Sequence, residues 1–246
     1  FNMNKKTTIA ALGDIHMNAN QHGKWKTKFE EISEKAKVLL LCGDLTDTGD
    51  EEEAELLVAE LQSIKVPVIA VLGNHDYEKG RQKQIRQILT DSKITVLDGE
   101  AIVIENIGFA GVKGFGGGFD RYMLSMFGED AMKSFVQEAV NESLLLDRAL
   151  ARLEQEHADI KKVALMHYAP IAETVLGEPE QIYPFLGSTH LMEPLQRRKV
   201  SAAFHGHAHA GKFKALSPSG IPIYNVAVPV LMAQHGSEAG FAFIDI

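Results

Sequence analysis

Residues 38–47 read VLLLCGDLTD, and this stretch decides the fold. Five apolar residues run without interruption into Gly43, and Asp44 and Asp47 follow at once. A continuous apolar run of this length, stopped by glycine, reads as a strand buried on both faces, which is the habit of parallel sheets. The pattern recurs on either side. TTIAALGDIH (residues 7–16) and VPVIAVLGNHD (residues 66–76) have the same form: apolar strand, glycine, then acidic, amide or imidazole side chains. Between the second and third runs lies DEEEAELLVAELQS, starting at Asp50. The spacing predicts a helix with Leu57, Leu61 and Ile64 on one face. Glu51, Glu52 and Glu53 fall in its first turn, where carboxylates complement the helix dipole, so this acidic run reads as a helix start and not a metal site.

After Ser92 the pattern changes. Ile94–Leu97, Ala101–Ile104 and Phe109–Val112 are short strand candidates, with Asp98-Gly99 as a turn. A long helix is expected from about Glu129 to Glu156, with Val136/Val140/Leu144 and Leu146/Leu150/Leu153 at helical spacing. Strands are expected at Val163–Met166 and Ala202–Phe204, with a short helix at Leu191–Arg198 between them. The tail offers Lys212–Leu216, Ile221–Val226 and Phe241–Ile244, read as antiparallel. No linker or repeat divides the chain, so we expect one α/β domain with two sheets over residues 1–246. Residues 1–6 are expected to be a flexible or vector-derived start, with Met3 as an initiator.

The 246 residues are enough for a sizeable core, and 45% hydrophobic with 24% charged is the mix of a globular protein. No stretch approaches the roughly 20 apolar residues of a membrane span. A net charge of −8 argues against broad adhesion to nucleic acid or anionic lipid. The single cysteine, Cys42, excludes an intrachain disulfide and a thiolate zinc site. That cysteine usage and a start without a secretory apolar segment give a cytoplasmic reading.

Each strand delivers metal-type ligands at its carboxyl end. Gly13-Asp14-Ile15-His16, Gly43-Asp44-Leu45-Thr46-Asp47 and Gly73-Asn74-His75-Asp76 are joined by Met166-His167-Tyr168-Ala169-Pro170 and Gly206-His207-Ala208-His209. Ligands of open α/β sheets gather at strand carboxyl ends, so the five segments should meet in one crevice. Oxygen and imidazole donors without thiolate suit Mn, Fe or Zn. In an extended segment, residues i and i+2 share a side, so Asp14/His16 and His207/His209 can each present two groups to one site.

In this order, D-x-H, G-D-x-x-D, G-N-H-D, H-x-x-P and G-H-x-H resemble the calcineurin-like metallophosphoesterase family. The resemblance implies a four-layer α/β/β/α sandwich, two mixed β-sheets flanked by helices, with a dinuclear centre at the strand ends. It implies Asp14, His16 and His209 on one metal ion, Asn74, His167 and His207 on the other, and Asp44 bridging them. It implies His75 as a catalytic non-ligand, oriented by the carboxylate of Asp47. The activity implied is hydrolysis of a phosphoester by a metal-bridging hydroxide, with His75 assisting the leaving group. Two ions of Mn, Fe, Zn or Ni are the expected cofactors. A small phosphomonoester or phosphodiester, such as a nucleotide or cyclic nucleotide, is the expected substrate. A DNA nuclease of the same family and a metal-poor scaffold on the same fold remain alternatives, and a homo-oligomer stays open. Substrate contacts are expected from His22, from Gly117 in the glycine run Gly114–Phe119, and from Arg121. His205 is read as packed, His190 as part of a helix cap, and Asp76 as a loop brace.

Overall fold

The computed structural model describes residues 6–246, so most of the expected flexible start lies outside the described residues. Two sheets make up the architecture. The first is ordered β11-β1-β2-β3-β4, from Ala242–Asp245, Thr8–Leu12, Val38–Cys42, Val68–Val71 and Thr95–Val96. Strands β1 to β4 run parallel, and β11 closes the edge antiparallel to β1. The second is ordered β5-β6-β7-β8-β10-β9, from Glu100–Ile104, Ile107–Gly111, Lys161–Leu165, Ala202–His205, Pro222–Asn225 and Lys214–Leu216. Here β6, β7, β8 and β10 are parallel, and β5 and β9 are antiparallel edges.

Alternation along the second sheet explains the layering. Phe109, Val163, Leu165, Ala202 and Phe204 pack into a core shared with β1, β2 and β3. Their neighbours Ala110, Val112, Ala164, Met166 and Ala203 pack instead on α4 (Asp130–Glu156) and α6 (Met192–Arg197). Successive side chains of a strand point to opposite faces, so one strand serves two cores. The first sheet carries α1 (Lys26–Lys35), α2 (Glu51–Glu60) and α3 (Gln82–Asp91), through Phe29, Ile32, Leu57, Ile85 and Leu89. Short α5 (Tyr183–Leu186) lies near the site, and α7 (Val228–His235) follows β10. The result is two mixed sheets flanked by helices. Among the described residues no helix is long and apolar enough to cross a membrane.

Several details depart from expectation. Helices α1, α3 and α7 are additional to those expected; α3 is amphipathic, with Ile85, Ile88 and Leu89 on its core face. In α4 the buried stripe is Val136, Ala139, Ser143, Leu146, Leu150 and Leu153, whereas Leu144 is exposed. Each step of four residues overshoots a full turn by about 40°, so repeated +4 spacing walks off the face. The β5–β6 hairpin turns at Glu105-Asn106, both left-handed (φ 51° and 61°), not at Asp98-Gly99. In the tail, β10 lies parallel to β8, while β9 and β11 are antiparallel to their neighbours. The acidic run at Asp50 is a helix start as expected: Asp50 and Glu53 form a reciprocal capping box.

The two sheets meet at their carboxyl edges. Gly13 N donates to Val226 O (2.8 Å), which ties the end of β1 to the end of β10. Gly206 N donates to His167 O (3.1 Å), which ties the ends of β7 and β8. Every motif loop leaves from this edge.

Candidate metal centre and active site

Five loops bring their polar side chains together. Asp14 Oδ1 lies 2.9 Å from His209 Nε2, across 195 residues of chain. His16 Nε2 lies 4.0 Å from Asp14 Oδ1 and 3.7 Å from Asp44 Oδ2. On the other side of Asp44, its Oδ1 lies 3.3 Å from His167 Nε2. His167 Nε2 is also 2.9 Å from Asn74 Oδ1. The rings of His167 and His207 are 4.8 Å apart, and those of His16 and His75 4.5 Å. Three groups of donor atoms are compact enough for a cation: Asp14/His16/His209, Asp44/His167/His207, and an overlapping His16/Asp44/His75.

The chain does not reach this arrangement by extended i, i+2 geometry. Asp14, His16, Asp44 and His207 are all left-handed, with φ of 58°, 45°, 48° and 69°. Such a backbone costs about 1–2 kcal/mol per non-glycine residue and clusters at functional sites. It hooks each loop back over the strand end. Consequently His207 and His209 diverge, one to each group. Two glycines make room. A Cβ on Gly73 would fall 2.9 Å from Asp44 Cγ and closer still to its Oδ1 and N. A Cβ on Gly206 would collide with Asp14 Oδ2 and stand 3.0 Å from Cys42 O.

Backbone carbonyls choose the histidine tautomers. A carbonyl only accepts, so the ring nitrogen facing it must carry hydrogen. Nδ1 of His167 donates to Cys42 O (3.0 Å), Nε2 of His207 to Phe185 O (3.0 Å), and Nδ1 of His75 to Asp47 O (2.6 Å). The opposite nitrogen of each ring then offers a lone pair. For His167 that lone pair points at two oxygens, Asn74 Oδ1 and Asp44 Oδ1. His16 Nε2 is buried with no hydrogen-bond partner among the described residues, beside two carboxylates. Oxygen and imidazole acceptors that converge like this must share a positive charge: a proton in a metal-free interior, or a cation in its place.

The electrostatics show a proton able to take that place. Burial alone would lower the pKa of His167, but the charge and hydrogen bond of Asp44 more than offset it and lift it to about 9. Burial opposes ionisation of Asp44, yet His167 holds its carboxyl well below the usual range. His207 falls to about 4, through burial and then the neighbouring His167. Asp14 raises His209 by accepting its hydrogen bond, and burial lowers His16. Asp14 and Asp44 are both buried, and Asp14 also accepts from His207 N (2.9 and 3.1 Å to its two oxygens).

Asp76 braces the loops, as expected. Its carboxylate accepts from Thr46 N and Oγ1, Leu45 N and Gly73 N at 2.6–3.2 Å. Buried His205 donates from Nδ1 to Gly206 O and accepts from Thr174 Oγ1, so it is packed. Ser188 Oγ accepts from His190 N, a cap.

The role expected of the Asp47 carboxylate needs correction, and the three expected substrate-contact positions lie outside the ligand cluster. The Asp47 carboxylate does not reach His75: it accepts from Asn18 Nδ2 (3.1 Å) and faces His16 Nδ1 (3.5 Å), while the Asp47 carbonyl orients His75. Gly117 is buried and its N–H is spent on Pro184 O (2.6 Å); Gly114 and Gly118 donate to Glu142 and Gly187. The glycine run is thus a packed crossing of two stretches of backbone. Arg121 is exposed and lies over the Tyr122 ring (4.7 Å to its centroid). His22 is exposed beyond the turn Ala19–Gln21, and no hydrogen bond among the described residues joins it to the cluster. Sequence reading missed Asn18, the three carbonyls, and Tyr168, whose ring packs 4.5 Å from that of His207. A carbonyl leaves no trace in residue identity.

Comparison with known proteins supplies the family. No curated protein sequence matches the chain. Among solved structures it is similar to the phosphopantetheinyl hydrolase of Mycobacterium tuberculosis, with TM-score 0.68 and 14% identity over 97% of this chain and 96% of that one. It is also similar to the anchor in the inner membrane complex of Plasmodium (TM-score 0.56, 13% identity, 92% and 73% covered). A putative 5'-nucleotidase from Staphylococcus aureus shares the fold (TM-score 0.53, 12% identity), with 90% of this chain and 48% of that one covered. At these identities the likeness speaks to fold. A sequence profile for calcineurin-like phosphoesterase, however, matches residues 7–211, most of the chain and every motif above. With those motifs gathered around one pair of buried carboxylates, the chain belongs to the calcineurin-like phosphoesterase family.

Proposed function

We propose that the protein hydrolyses a small phosphomonoester or phosphodiester, with two divalent cations held by the clustered side chains. Asp14, His16 and His209 would hold one, and Asn74, His167 and His207 the other. The observation that carries this reading is Asp44, a single buried carboxylate that turns Oδ2 toward His16 and Oδ1 toward His167, one oxygen to each group. Divalent cations held there would lower the pKa of a bound water and offset the charge of phosphoryl oxygens.

The chain's own residues do the rest. Asp47 O fixes hydrogen on His75 Nδ1, so Nε2 is the atom that can hold a proton for the leaving oxygen, a contribution of about 10²–10⁴-fold. The Cys42 and Phe185 carbonyls keep His167 and His207 in the tautomers that aim lone pairs inward. Asp76 holds the loops of Asp44 and Asn74 in register. The names of two neighbours, a phosphopantetheinyl hydrolase and a 5'-nucleotidase, support a small phosphate ester, a nucleotide or cyclic nucleotide among the candidates. We further propose one domain over residues 1–246 and a cytoplasmic location.

The test is metal reconstitution. Protein stripped by chelator and reloaded with Mn, Fe, Zn or Ni is assayed on aryl phosphate mono- and diesters. Metal-dependent hydrolysis is expected. No turnover with any of these ions overturns the reading.

A further inference from the structure

An aromatic space adjoins the cluster. A cavity of about 420 Å³ is lined in part by Phe119, Asp120, Tyr122, Glu180, Tyr183 and Pro184. That is within the range of roughly 300–1,000 Å³ of small-molecule sites. It is connected to the candidate metal centre through α5 and Ala208. Helix α5 lines it with Tyr183 and Pro184, and the Phe185 carbonyl of the same helix accepts from His207 Nε2. Ala208, between His207 and His209, belongs to the same apolar cluster as Phe119 and Tyr183.

The lining has a definite chemistry. Phe119 and Tyr183 stand edge to face, with centroids 6.2 Å apart and planes at 85°. Tyr122 lies at the mouth, 72% exposed. The charged lining groups are Asp120 and Glu180, and neither forms an ion pair among the described residues. No lysine, arginine or histidine lines the space. Burial and the carboxylates of Glu180 and Glu178 push the Tyr183 hydroxyl up, so the local field is negative and the phenol stays neutral. The rings already accept a cation: the Arg121 guanidinium rests on Tyr122 and donates to its hydroxyl (2.6 Å). A second phosphate would be repelled here. An uncharged group would gain packing only, whereas an organic cation gains the aromatic wall and two carboxylates, against the one Arg121 guanidinium on Tyr122 at the mouth.

We propose that this cavity is a subsite for a quaternary ammonium group on the alcohol part of the phosphoester. The inference rests on the phosphoesterase reading of the adjoining cluster and names the substrate class that site would favour.

The test compares two nitrophenyl phosphodiesters on metal-reloaded protein. One carries choline, and the other carries its uncharged isostere, with tert-butyl in place of trimethylammonium. The expected kcat/KM ratio favours the choline ester by about tenfold or more. The double variant Asp120→Asn, Glu180→Gln should bring the ratio to within about twofold. Because both esters share shape and reporter, the ratio is insensitive to general damage. Tetramethylammonium binding, measured by calorimetry, needs no turnover. Binding that the double variant weakens, with neither ester hydrolysed, sustains the subsite and sinks the phosphoesterase reading. A wild-type ratio near one, or a high ratio that the double variant leaves intact, overturns the subsite.

Discussion

Alanine at position 73 tests whether the glycines of the motifs exist to seat the ligands. Gly73 has no left-handed φ, so alanine brings no backbone strain there, and its whole effect is the added methyl. That methyl would stand 2.9 Å from Asp44 Cγ and nearer to Oδ1, where an ordinary contact needs about 3.5 Å. Asp44 must therefore retreat by about 1 Å. Its Oδ1 accepts from His75 N (2.9 Å) and faces His167 Nε2, so the move disturbs both neighbours. Overpacking of this kind costs about 1–3 kcal/mol, or roughly 2–12 °C in melting temperature at this chain length. A misplacement of about 1 Å at the reacting centre costs about 10²-fold in rate. Gly220→Ala is the control: its Cβ meets open space, but φ is 85°, so it loses a similar 1–2 kcal/mol through backbone strain alone. The assay pairs thermal melting with metal content by mass spectrometry after dialysis against a fixed free-metal buffer. Both variants should melt lower, and only Gly73→Ala should lose metal and turnover. Wild-type metal content and turnover in Gly73→Ala would refute the reasoning.

Other outcomes follow from the same geometry. His75→Ala should cut kcat about 10²–10⁴-fold at unchanged metal content; loss of the metal would instead make His75 a ligand, as its proximity to His16 and Asp44 allows. Burial depresses His205 to about 4, so the folded state binds fewer protons than the unfolded one between about pH 6.5 and 4, and stability is lost as pH falls through that window. The loss is on the order of 3 kcal/mol, and His205→Gln should flatten the melting profile there; an unchanged slope speaks against a buried neutral imidazole. Arg198 grips Asp147 with two bonds (2.9 and 3.0 Å) and holds its carboxyl below the usual range. Asp147→Asn should cost about 2 kcal/mol near neutrality, and the deficit should shrink below about pH 4, where the wild-type carboxylate also protonates; a deficit independent of pH would remove the ionic cause.

The parts of this molecule legible in its residues are those where identity and position coincide. Strands β1, β2 and β3 are buried on both faces, so their sequences are uninterrupted apolar runs. Helix α1 buries only Phe29 and Ile32 in ten residues, and its signal is thin. The ligand types stood out because carboxylate, amide and imidazole rarely recur after glycine by accident. The path between them did not. Asp14 and His16 sit in left-handed turns, a conformation that aspartate and histidine tolerate better than most side chains but do not by themselves specify. Asp47 falls at the expected place, yet its main chain, not its carboxylate, meets His75. The glycines from Gly114 to Gly118 let two stretches of backbone cross: a Cβ on Gly117 would meet Ser188 Oγ at 2.9 Å.

Three imidazoles take their protonation pattern from peptide oxygens at Cys42, Asp47 and Phe185. Those oxygens survive any amino-acid replacement at the three positions. Neutral drift there can swap the thiol, the acid or the ring and still pass on the same arrangement of hydrogens. What such drift cannot tolerate is an insertion or deletion that reroutes the loop. Across distant descendants, loop length at these three points should therefore be guarded more strictly than the letters themselves.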